Sequence, residues 1–95
     1  MDQKYIDRIE QLRYNILTKK VGEVSYPDFK PIADTAIANI KKWIDDNKCI
    51  TDKYSLYIYP KSEGGLDLEY RTTAFDYTVE FTNDGEIEMT VSAID

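Results

Sequence analysis

Over its last forty residues the chain alternates apolar and polar side chains with a period of two. That alternation dictates a sheet with one apolar face and one wet face. Leu66, Leu68 and Tyr70 fall on one side, against Asp67, Glu69 and Arg71 on the other. Phe75, Tyr77, Val79 and Phe81 stand against Asp76, Thr78 and Glu80. Ile87, Met89, Val91 and Ala93 stand against Glu86, Glu88, Thr90 and Ser92.

The spacing predicts four strands, near 54–59, 65–71, 74–82 and 86–93. Asn83-Asp84-Gly85 is a hairpin signal between the last two, with Gly85 free to take positive φ. Gly64-Gly65 turns the first strand into the second, and Thr72-Thr73 joins the second to the third. Loops this short join neighbours, so the strands form an antiparallel meander in chain order.

Two helices precede the sheet. Residues 2–18 place Tyr5, Ile9, Leu12 and Ile16 at i, i+4, i+7 and i+11, with Asp2 as N-cap, Lys19 and Lys20 closing the last turn, and Gly22 as the break. Residues 31–47 carry a stripe of Ala33, Ala36, Ile37, Ile40 and Ile44 with Trp43 beside it, and Pro31 suits the first turn. The connector 21–30 contains Val24, Tyr26 and Phe29, apolar enough to pack down onto a core. The expected fold is α+β, with two N-terminal helices on one face of a four-stranded antiparallel β-meander in the order α-α-β-β-β-β. Ninety-five residues make a single domain, 1–95, which buries roughly 60–65% of the surface its unfolded chain exposes.

Composition narrows the chemistry. The chain has no histidine, which removes the commonest general base and metal ligand together with every Ser-His or Cys-His nucleophile. Cys49 is the only cysteine, so no internal disulfide forms. At the C-terminal end of a helix it sits where a thiolate is disfavoured, and it reads as a small, partly buried junction residue. The segment 80–85 places a glycine as a calcium loop would, but the twelfth position is Val91 where a bidentate acid is required. No Lys-Ser/Thr pair follows Gly64-Gly65, so no phosphate cradle is present. Neither a catalytic group nor a cofactor or metal is expected, and the chain reads as no enzyme.

Met1, Asp2 and Lys4 lead into no apolar run, and no run approaches the roughly 20 residues that cross a bilayer. A soluble cytoplasmic protein is the expectation. Charge is uneven: residues 51–95 hold three bases and ten acids, within a net charge of −6. That sign disfavours a phosphate backbone or an anionic membrane as partner and favours a basic protein. Lys4, Arg8 and Arg13 are interleaved with Asp7 and Glu10, a mixed solvated face rather than a basic stripe.

The candidate site is the wet face of the sheet. Asp67, Glu69, Asp76, Glu80, Glu86 and Glu88 crowd it, with Arg71 as its one base and Tyr57 and Tyr59 beside them. Like charges on adjacent strands destabilise a sheet, so a face of one sign suggests a binding surface. An acidic solubility face is the plainer alternative.

Residues 63–70, Glu-Gly-Gly-Leu-Asp-Leu-Glu-Tyr, followed by 75–81 and 83–87, resemble a pattern in small, mostly uncharacterised prokaryotic and phage-associated proteins. In those a Gly-Gly turn leads into a strand ending Leu-Glu-Trp, then a strand with alternating acids, then Asp-Gly. Tyr70 stands here where tryptophan is usual. The resemblance implies a helix-plus-sheet fold and a prokaryotic or phage setting, and it carries no site.

Together these readings point to a small acidic, non-catalytic protein-binding module. It would act as an inhibitor of the anti-defence, antitoxin or immunity kind, covering a basic and even nucleic-acid-binding surface of its partner. Two alternatives stand beside it. One is a small enzyme or ligand-binding domain with a carboxylate-lined pocket near Trp43, Tyr26 and Tyr54. The other is a homo-oligomeric subunit that pairs through an edge strand, for which 86–93, lacking Pro and Lys, is the better candidate.

Overall fold

A computed structural model describes residues 3–18 and 29–94. The readings at Asp2, Lys19, Lys20, Gly22, Val24 and Tyr26 lie outside the described residues. Helices precede a four-stranded antiparallel sheet: α1 (Gln3–Thr18), α2 (Asp34–Asp46), α3 (Lys48–Lys53), β1 (Tyr57–Pro60), β2 (Leu66–Arg71), β3 (Phe75–Phe81) and β4 (Ile87–Ala93). The sheet runs β1-β2-β3-β4, so chain order and spatial order coincide.

Three departures from the sequence reading have physical causes. First, α2 starts at Asp34 rather than Pro31, because Ala33 is extended at φ −70° and ψ 151°. Ile32 is buried ahead of the helix rather than within it. Second, residues 48–53, read as a junction, form the short helix α3. At Asn47 the backbone breaks to φ −120° and ψ 45°, and the N–H groups of Ile50 and Thr51 bond back to its carbonyl. Cys49 therefore lies inside α3 and is exposed, not partly buried. Third, β1 begins at Tyr57, three residues later than expected. Tyr54 turns inward to stack against Tyr70.

The register explains the two faces. Ile58 pairs with Leu68, Leu68 with Val79, and Val79 with Met89; the neighbouring row is Tyr59, Asp67, Glu80 and Glu88. The turns behave as their glycines require. Gly65 takes φ +87°, and a Cβ there would stand 2.3 Å from the Phe81 carbonyl oxygen, so no other residue fits without strain.

Tyr5, Ile9, Leu12 and Ile16 of α1 are buried, as are Ala36, Ile37, Ile40 and Ile44 of α2. They join Leu56, Ile58, Leu66, Leu68, Tyr70, Val79 and Phe81 in one core. α1 packs on β1, and α2 packs on β2 and β3. The cover stops there. Every residue of β4 is exposed, and on its apolar side Ile87, Met89 and Val91 stay about half exposed (50%, 50% and 49%), with Phe75 of β3 at 42%.

Candidate functional site

The wet face is built in rows across the sheet. Tyr57, Glu69, Thr78 and Thr90 form one row; Tyr59, Asp67, Glu80 and Glu88 the next; Arg71, Asp76 and Ser92 a third. Glu86 extends the ladder past the end of β4, its carbonyl accepting from Thr82 N–H and its own N–H donating to Thr82 Oγ1. All eight residues named from the sequence are thus brought to one face.

That face is not uniformly acidic, and the expectation that Arg71 is its one base is corrected. Lys61 follows Pro60 and keeps the outward parity of Tyr59. Its ammonium hydrogen-bonds Glu80 and lies 3.2 Å from Glu63 and 3.6 Å from Asp67. The alternation 57, 59, 61 would have placed it, had the strand been read past its proline. The bond to Glu80 comes first among the causes that hold Lys61 charged well above the usual lysine range, and partial burial acts against it. Burial pushes the Asp67 carboxyl up, with Glu80 adding to the effect and Lys61 opposing it. Asp67 Oδ1 is buried and has no hydrogen-bond partner among the described residues. Arg71 grips Asp76 through Nε at 2.5 Å and an Nη at 3.1 Å. That grip holds Asp76 below the usual carboxylate range.

Asp67, Glu80 and Asp76 are therefore engaged by cations. Glu69, Glu86 and Glu88 have no such partner among the described residues; Glu69 stands opposite the exposed Tyr57, whereas Glu86 and Glu88 lie toward the far, β4 edge. A shallow depression of about 540 Å³ opens over Thr78. Tyr57, Glu69, Ser92 and the Arg71–Asp76 pair form its walls.

The expected pocket by Trp43 and Tyr54 has a different character. The Trp43 and Tyr54 rings each sit 6.1 Å from Tyr70, which stacks on Tyr77 at 4.7 Å, and burial pushes the Tyr70 hydroxyl up. Tyr26 lies outside the described residues. No group of three or more Cys, Asp or Glu side chains among the described residues is placed to hold a metal ion. No described helix is long and apolar enough to cross a membrane. The chain matches no protein-family model, no curated protein and no solved structure.

Proposed function

We propose that the chain is a non-catalytic protein-binding module whose wet sheet face covers a cationic surface on a basic partner. The supporting observation is that Glu69, Glu86 and Glu88 stand without a cation among the described residues, with Glu69 directly opposite the half-exposed Tyr57. An incoming lysine or arginine loses little hydration at such an open face and gains a carboxylate. A guanidinium seated over Thr78 also meets the Tyr57 ring, where cation–π contact contributes roughly 0.5–1 kcal/mol. Opposite charge speeds encounter, and salt weakens it. Nucleic-acid-binding grooves concentrate cations of this kind, so an inhibitor occluding such a groove is the reading the charge supports. The phage or mobile-element setting rests on the sequence resemblance, and a cytoplasmic location on the sequence reading of Met1–Lys4 and the lone Cys49.

The test is capture of partners from the native host with the wild-type chain and with the triple variant Glu69→Lys, Glu86→Lys, Glu88→Lys, at low and high salt. Capture should disappear in the variant and weaken with salt for the wild type. A folded triple variant that captures the same partner equally well refutes the reading.

A further inference from the structure

The two edges of the sheet are finished differently. In β1 the pair Lys61–Gly65 is hydrogen-bonded, which turns the N–H and C=O groups of Leu56, Ile58 and Pro60 outward. Each is dealt with. Leu56 N–H donates to Tyr5 Oη at 3.1 Å, Arg8 Nε donates to the Ile58 carbonyl at 3.3 Å, and Pro60 has no N–H. In β4 the bonds Thr82–Glu86 and Ile94–Ala74 set the opposite parity, so Ile87, Met89, Val91 and Ala93 turn their backbone groups outward. No described residue bonds to them. The strand also lacks proline, lysine and bulge, the usual protections of an edge.

We propose that β4 pairs with β4 of a second copy, antiparallel about a two-fold axis at Thr90. That register places Ile87 opposite Ala93 of the second copy and Met89 opposite Val91, joining the outward-facing backbone groups of both strands. It keeps the apolar side chains of both strands on one side of a continuous eight-stranded sheet. The charges also fit. Glu88 faces Ser92 rather than another carboxylate, and the two Glu88 side chains stand about 14 Å apart, beyond the ~8 Å screening length at physiological salt. Shifting the register to pair Glu88 with Glu88 would set like charges opposite each other.

Because Tyr5 and Arg8 of α1 sit on the β1 edge and Pro60 offers it no N–H, a third copy has no matching ladder there, and the pairing ends at two copies. One strand edge covers less than the roughly 800 Å² per partner of a standard interface, so the dimer is reversible. Each copy carries a net charge of −6, so added salt strengthens self-association. That is opposite in sign to the salt effect on binding a basic partner. The proposal is independent of the wet-face reading.

Sedimentation velocity of the full chain, over roughly 1 µM to 1 mM, tests it. The expected result is a monomer–dimer equilibrium that tightens with salt and is lost in Met89→Lys. Amide exchange of the wild type, read at both ends of the range, should show Ile87, Met89, Val91 and Ala93 protected only at high concentration. A monomer throughout, a dimer that survives in folded Met89→Lys, species growing beyond two copies, or exchange at those four amides independent of concentration each overturns the proposal.

Discussion

Asn83 Oδ1 accepts a hydrogen bond from Ala33 N–H at 2.8 Å, and its Nδ2 donates to the Pro31 carbonyl at 3.0 Å. The tip of the β3–β4 hairpin thereby holds the residues that lead into α2. Ala33 itself offers that helix no side-chain cap. Asn83→Ala should lower stability by about 1–3 kcal/mol, the sum of two lost hydrogen bonds. Urea denaturation of wild type and variant checks this; an unchanged midpoint would mean that the clasp contributes nothing.

Lys61 holds three carboxylates, Glu63 of the β1–β2 turn together with Asp67 and Glu80 of the wet face. Lys61→Met leaves them facing one another, at a loss of roughly 1–3 kcal/mol near neutral pH. The folded-state pKa of Lys61 lies above its ordinary value of about 10.4. Its contribution is therefore complete below that pH and is lost as pH rises toward the folded value. The deficit of the variant should also shrink in acid, as the carboxylates take up protons. Adding Asp67→Asn should recover part of it. Thermal melts from pH 4 to 11 on all three proteins measure these terms.

Glu80 and Glu88 stand directly opposite each other in the β3–β4 register. Like charges so placed destabilise a sheet, and Glu88→Lys should raise stability by about 0.2–1 kcal/mol. The same change should weaken capture of a basic partner. A variant that folds more tightly and binds less well would mark a face retained for binding. A variant that binds as before would mark a face serving solubility alone.

Tyr5 and Arg8 bond to the β1 edge from α1. Replacing both, as Tyr5→Phe with Arg8→Ala, frees the Leu56 N–H and the Ile58 carbonyl. Loss of the buried bond to Leu56 should lower stability by about 1–3 kcal/mol. The opened edge should also let the chain assemble past two copies. Light scattering at high concentration reads the second effect and chemical denaturation the first.

The period-two runs made the meander legible because sheet pleating ties side-chain direction to position one residue at a time. The same parity placed Tyr57, Tyr59 and the six acids on one face. Gly64-Gly65 and Gly85 marked their turns because a positive φ leaves little choice of residue. The boundaries of α2, α3 and β1 were not legible. They depend on Asn83 reaching Ala33 and on Tyr54 finding the ring of Tyr70, contacts between residues far apart in the chain.

By itself, then, the order of residues determined the class of fold, the chain-order sheet and the acidity of its wet face, since each follows from local alternation, turn chemistry and composition. Tertiary structure alone decided which acids stay unpaired, because Lys61 lies beyond a proline and meets Asp67 and Glu80 only once β1, β2 and β3 align. It also decided which edge stays open. Among the described residues, α1 and α2 pack on β1, β2 and β3, and α1 carries the side chains that bond to an edge.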